Sequence, residues 1–134
     1  MHVENPADHR TMLRDKRVLV VEDEALVAML VEDGLLDLGA KVVGPAATVD
    51  EALRLIEGVA HDGGLSAAVL DINLGGEAVR PVADRLAALG VPFLFATGYG
   101  EGCDTGGHAA PMLHKPFDLN RLVVTVEALA SAGG

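Results

Sequence analysis

Five side chains from four well-separated segments of this sequence have the types that phosphoryl chemistry needs: Glu22, Asp23, Asp71, Thr97 and Lys115. A carboxylate can attack phosphorus and become an acyl phosphate. Carboxylates crowded together raise one another's pKa unless a cation stands among them. A hard divalent ion answers that need, and Mg²⁺ commonly takes one or two carboxylates and keeps several waters. In such a site Asp23 and Asp71 are the direct ligands, the backbone carbonyl of Asn73 is a third, and Glu22 acts through water. The ammonium of Lys115 would neutralise charge on transferring oxygens, and the Thr97 hydroxyl would donate to a phosphoryl group once present. Each residue also has an ordinary reading. Acids after a strand serve as helix caps, and aspartate is common in turns. The chemistry stands only if one fold brings all five together.

The elements around them do this. Val18–Val21, Ala67–Leu70 and Pro92–Ala96 are short, continuous apolar runs, the pattern of strands buried on both faces of a parallel sheet. The first ends in Glu22-Asp23-Glu24, the second in Asp71, the third in Thr97. A briefer strand, Met112–His114, stops at Lys115-Pro116, and another, Lys41–Val43, is closed by Gly44-Pro45. In a parallel α/β sheet ligands bind outside the carboxyl ends of the strands, where the strand order switches. All five reactive residues sit at such ends.

Helical patterns fill the intervals. Val27, Leu30, Val31, Leu35 and Leu38 recur at helical spacing before Gly39, which supplies a stop. Thr48 and Glu51 form a capping box ahead of a helix with Leu53, Ile56 and Val59/Ala60 on one face. Val79, Val82, Leu86 and Leu89 mark a third helix, ended by Gly90. Pro81 fits only its first turn, which places the start near Ala78. Asp118 caps a last helix carrying Leu119, Leu122, Val123, Val126 and Leu129. Alternation of this kind predicts an α/β fold: a flavodoxin-like, doubly wound, five-stranded parallel sheet in the order 2-1-3-4-5.

One crossover departs from the pattern. Residues 98–111 carry glycine at 98, 100, 102, 106 and 107. Each interior glycine costs a helix ~1 kcal/mol against alanine, so the fourth helix is expected to be short or replaced by a glycine-rich loop. Residues 1–15 read as a polar tail, with Met12 an alternative start, and the domain as 16–132. The 134 residues suit one domain and leave no room for a second folded module.

With 20 acidic against 10 basic residues, the net charge of -10 argues against nucleic-acid binding and suits a partner with a basic face. Cys103, the single cysteine, excludes an internal disulfide and a thiolate cluster. His2, His9, His61, His108 and His114 lack the spacing of a shared metal site. No segment has the length and apolarity of a signal sequence or membrane span, so no membrane association and a cytoplasmic location are expected.

The segments VLVVEDE (18–24), AVLDINL (68–74), FATG (95–98) and HKPF (114–117) resemble the marker segments of bacterial two-component response-regulator receiver domains, over roughly residues 16–132. The resemblance implies that Asp71 is the phosphoacceptor and that Glu22 and Asp23 form the acidic metal pair. It makes Thr97 the switch hydroxyl and Lys115 the phosphate-contacting lysine, before a proline that is typically cis. The phosphoryl donor would be a sensor histidine kinase or a histidine phosphotransfer protein, with a protein target downstream and the chain a monomer or weak homodimer.

FATGYG (95–100) further resembles the FATGUY subgroup of single-domain receivers. The position three before the lysine, usually aromatic, is Met112 here, so Tyr99 is a candidate substitute. Ordering of residues 98–111 on phosphorylation is then the expected switch. Two other readings use the same residues. An aspartate-nucleophile phosphohydrolase needs an acid two residues after its nucleophile, where this chain has Asn73. A phosphate-independent interaction module would have no need of the complete set. No catalysis is expected beyond the chain's own phosphorylation and slow dephosphorylation.

Overall fold

The computed structural model describes residues 13–60, 64–98, 105 and 107–132. Among these the chain forms, in order, β1 (Arg17–Val21), α1 (Ala25–Asp37), β2 (Lys41–Ala46), α2 (Val49–Ala60), β3 (Ala67–Asp71), β4 (Asn73–Leu74) and β5 (Glu77–Ala78). After them come α3 (Arg80–Ala88), β6 (Phe93–Thr97), β7 (Met112–His114) and α4 (Leu119–Ala132). Five strands make one parallel sheet in the order β2-β1-β3-β6-β7. With the short β4–β5 hairpin set aside, this is the predicted 2-1-3-4-5 order. The fold is α/β and flavodoxin-like.

Both faces of the sheet are covered, which is why its strands read as unbroken apolar runs. Successive side chains point to opposite sides. Leu19, Val21, Ala68, Leu70, Phe93 and Phe95 meet Ile56 of α2 with Val82 and Leu86 of α3. Val18, Val20, Val69, Leu94 and Leu113 meet Val31 and Leu35 of α1 with Leu122 and Val126 of α4. Phe93 and Phe95 touch edge to face at 5.4 Å between ring centroids.

Several local expectations need correction. Leu30 is 60% exposed and Leu89 is 41% exposed, so neither joins the core. The α1 face that packs is Ala28, Val31, Gly34 and Leu35, because Gly34 admits the Leu119 side chain of α4. Helix α3 begins at Arg80 rather than near Ala78, since Glu77 and Ala78 pair with Leu74 and Asn73. The turn of that hairpin is Gly75-Gly76, both at positive φ, the conformation a two-residue type I′ turn requires. Leu13, placed in the tail by its neighbours' polarity, is fully buried, and its N–H donates to the Leu38 carbonyl at 2.9 Å. Packing therefore starts before Lys16.

Strand β2 also runs on through Gly44-Pro45 to Ala46, where the Glu22 N–H donates to the Ala46 carbonyl at 2.8 Å. The Gly44–Pro45 and Lys115–Pro116 peptides are both cis. Gly44 has φ +100°, and an added Cβ would lie 2.8 Å from both the Val20 carbonyl oxygen and the Ala46 nitrogen. Both obstacles are backbone atoms of the sheet that carries the acids. Gly44→Ala is expected to cost about 2–3 kcal/mol, measurable by urea denaturation.

The helix ends behave largely as read. The Thr48 hydroxyl accepts the Glu51 N–H at 3.1 Å, while the Glu51 carboxylate reaches back one residue further than a capping box requires, to the Ala47 N–H at 2.8 Å. Asp118 accepts the Asn120 N–H at 3.0 Å and so caps α4. In the β6–β7 crossover, none of the described residues, 98, 105 and 107–111, is helical. Residues 99–104 and 106 lie outside the described residues. Tyr99, Cys103 and the expectation for the 98–111 switch fall there wholly or in large part.

Candidate functional site

Register delivers the reactive residues to one edge. Val21 pairs with Leu70, which sets Glu22 beside Asp71. Asp71 pairs with Ala96, and Thr97 pairs with His114, which leaves Lys115 one residue past the sheet. The Lys115 N–H donates to the Thr97 carbonyl at 2.8 Å, so the backbone of one site residue holds that of another. The hairpin closes the side of the site: a Cβ on Gly75 would lie 3.4 Å from Asp23 Oδ2.

Lys115 Nζ is the hub. It lies 2.8 Å from Glu22 Oε1, 3.1 Å from Asp71 Oδ2 and 3.1 Å from Glu24 Oε1. Glu22 and Asp71 are both buried. Their second oxygens are occupied as well: Glu22 Oε2 accepts the Glu24 N–H at 3.0 Å, and Asp71 Oδ1 accepts the Asn73 N–H at 3.2 Å. Carboxylate oxygens of Glu22, Asp23 and Asp71 lie within 4.8 Å of one another. A cleft of about 230 Å³ opens over them, lined by Asp23, Glu24, Asp71, Asn73 and Lys115 among others.

Burial, and then the neighbouring Glu22, push the Asp71 carboxyl up to about 7, against the lowering effect of the Asn73 N–H and Lys115. Burial lowers the Lys115 pKa, but Glu22 and Asp71 outweigh it and leave the ammonium held well above its ordinary value. Three carboxylates face one ammonium, so the cluster has a surplus of hard oxygen donors and of negative charge. That donor set fits a divalent cation with oxygen coordination.

The other expected residues stand as follows. Thr97 is buried, and its hydroxyl donates to the Gly98 carbonyl over a long 3.4 Å. Met112 pairs with Phe95 and packs against the α2–α3 side of the core. The Asn73 side chain accepts the Gly76 N–H at 2.9 Å and so belongs to the hairpin turn. Sequence reasoning missed the Glu24 contact with Lys115. The signal available was a glutamate at an N-cap position, where shorter side chains are preferred. A larger apolar groove of about 330 Å³, lined by Ile56, Val59, Leu65, Leu89 and Val91, lies at the opposite edge of the sheet, and its lining carries no ionisable side chain.

No family model matches the chain. The fold is similar to the solution structure of SdrG from Sphingomonas melonis Fr1, with 43% sequence identity and a TM-score of 0.72, over 88% of this chain and 97% of that one. It is also similar to the crystal structure of the response regulator PhyR from Brucella abortus, with 31% identity and a TM-score of 0.68, over 95% of this chain and 51% of that one. Among curated proteins, the phyllosphere-induced regulator PhyR of Methylorubrum extorquens is 35% identical over 102 residues, 75% of this chain. The match spans 38% of that regulator's length. The chain belongs to the response-regulator receiver domains. No helix among the described residues is long and apolar enough to cross a membrane.

Proposed function

We propose that this receiver accepts a phosphoryl group on Asp71 from a sensor histidine kinase or a histidine phosphotransfer protein and passes the signal on as a change of protein partner. The carrying observation is the Asp71 carboxylate at the strand end, 3.1 Å from Lys115 and within 4.8 Å of the Glu22 and Asp23 oxygens. An Asp71 oxygen attacks phosphorus, the P–N bond to the donor histidine breaks with its electron pair going to the ring nitrogen, and the proton already on the other ring nitrogen leaves the imidazole neutral. Asp23 and Asp71, with the Asn73 carbonyl and Glu22 through water, would hold Mg²⁺, which supplies positive charge to the transferring oxygens when bound. Lys115 holds a further phosphoryl oxygen. Thr97 turns its hydroxyl from Gly98 to the new group.

The FATGUY-like reading has one physical support: with Met112 against Phe95, no ring at that position can report phosphorylation by flipping. Thr97 and the crossover after it are then the switch. A phosphohydrolase reading is disfavoured because Asn73 is neutral and tied into its own turn. The test is phosphotransfer from candidate kinases in the presence of Mg²⁺, with Asp71→Asn as control. Label that appears equally on the control would remove Asp71 from its role.

The donor must dock beside the cleft, and α1 leads directly away from it. Leu26, Met29 and Leu30 are all exposed on that helix, with Asp33 and Asp37 among them. An apolar stripe edged with acids suits a helical partner carrying apolar and basic side chains. Leu30→Glu is expected to slow transfer from a protein donor by about 10–30-fold, as loss of an interface anchor does. Labelling by acetyl phosphate, which needs no docking, should stay at the wild-type rate.

A further inference from the structure

Lys115 donates three N–H groups, and three carboxylates take them. A phosphoryl group arriving on Asp71 needs one of those donors, so one carboxylate must release its hold. Glu22 cannot leave cheaply: it is buried, and its second oxygen is bound to the Glu24 N–H. Asp71 is the reacting group itself. Glu24 differs from both. Its side chain is 62% exposed, it lines the mouth of the cleft, and its carboxylate is held by Lys115.

A second observation points the same way. Glu24 occupies the N-cap of α1 yet makes no capping hydrogen bond with its side chain. That position normally holds a residue whose side chain accepts a free N–H of the first turn. Here the local rule is broken, and the carboxylate extends to a lysine 91 residues away. Such departures from local consistency mark residues that serve a site.

We infer that Glu24 is a displaceable counter-ion of Lys115, holding the ammonium in the unphosphorylated protein and yielding it to the phosphoryl group. The inference rests on the phosphoacceptor reading of Asp71. It makes Glu24 a positioning residue with two effects. It keeps Lys115 aimed into the cleft before the donor arrives, and its negative charge opposes the approach of an anionic donor. Glu24 also lies two residues before exposed Leu26, so its release changes the charge next to the α1 stripe in step with phosphorylation.

The test compares wild type, Glu24→Gln and Glu24→Asp, each with Mg²⁺, in two measurements. One is the second-order rate of Asp71 labelling by acetyl phosphate and by the less highly charged phosphoramidate. The other is the affinity for beryllofluoride, followed by ¹⁹F NMR. Glu24→Gln removes the charge at an exposed position and should fold normally. It is expected to gain about three- to fivefold in labelling by acetyl phosphate, the scale of an exposed charge pair. The gain should be smaller with phosphoramidate and should shrink as salt screens the site. Beryllofluoride affinity should rise by a similar factor, and Glu24→Asp, which keeps the charge, should stay within about twofold of wild type. Wild-type rates and affinity in Glu24→Gln, or a gain indifferent to salt and donor charge, would overturn the inference. Failure of wild type itself to be labelled on Asp71 would instead sink the phosphoacceptor reading, and the inference with it.

Discussion

Asp71→Asn is expected to abolish acyl-phosphate formation and, at the same time, to stabilise the protein in the absence of metal. The first effect follows from chemistry, since an amide oxygen is no nucleophile for phosphorus at neutral pH. Phosphotransfer followed on gels that retard the phosphorylated form should show loss below detection. The second follows from burial. Asp71 is pushed from an ordinary 3.8 to about 7 by burial and by Glu22. A carboxyl with a raised folded-state pKa is neutral in both states below about pH 4 and contributes nothing there. As pH rises toward 7 the unfolded chain ionises first, so stability falls across that window and the loss is complete above it.

Each pH unit between the two values is worth about 1.4 kcal/mol, which sets a ceiling of about 4 kcal/mol. Relaxation around a coupled carboxylate pair brings the expected gain to about 1–3 kcal/mol for Asp71→Asn at pH 8, falling to nothing near pH 4. Asparagine keeps an oxygen for the Asn73 N–H, so that hydrogen bond is not forfeited. Urea denaturation at the two pH values measures the difference. Mg²⁺ should reverse the order at pH 8, stabilising wild type by mass action and the variant far less. Equal stability of the two proteins at pH 8 without metal would mean that Asp71 carries no burial penalty.

Lys115→Met should instead destabilise the protein. It removes the cation from among Glu22, Glu24 and Asp71 and leaves two buried carboxylates facing one another. Breaking a buried ion pair by deleting one partner typically costs 3–5 kcal/mol. This cluster can soften the loss by taking up a proton on Asp71, so about 2–4 kcal/mol is expected at pH 8 and less at pH 5. Added Mg²⁺ should restore part of it by replacing the missing positive charge. Labelling of Asp71 should persist in the presence of Mg²⁺ but slow by about 10–100-fold, because one of the groups neutralising the transferring oxygens is gone. Wild-type stability of Lys115→Met in EDTA would show that the three contacts to Nζ contribute no net stability.

The two variants move stability in opposite directions for one reason. Four acidic side chains, Glu22, Asp23, Glu24 and Asp71, share the site with a single ammonium that touches three of them, so removing a negative charge relieves the cluster and removing the positive charge exposes it. The fold tolerates this arrangement because two apolar layers, one under α2 and α3 and one under α1 and α4, hold the strand ends in place. Stability is given up at the edge of the sheet, where the chemistry is.

Much of this was legible in the residues alone. Doubly apolar runs such as Val18–Val21 and Ala67–Leu70 have few options other than central strands of a covered parallel sheet, and their acidic ends had to share its carboxyl edge. Elements whose signal was weak or local went astray. Leu30 and Leu89 have the right spacing for a core, but helical periodicity does not say which part of a wide apolar surface meets the sheet. The pairing of Asn73–Leu74 with Glu77–Ala78 depends on two-residue strands too short to show a period. Leu13 is one buried residue in a polar stretch.

Composition and order along the chain thus determined the layered architecture and the roster of reactive groups. Tertiary structure alone decided that Lys115 is shared by three carboxylates, that burial and Glu22 push the Asp71 carboxyl up, and that the Glu24 side chain turns to Lys115 instead of capping the helix it precedes. These properties depend on distances of a few ångströms between residues up to 91 positions apart, and on how much water reaches them. Local pattern specifies which way a side chain faces along its own element; only packing sets what it meets there and in what dielectric.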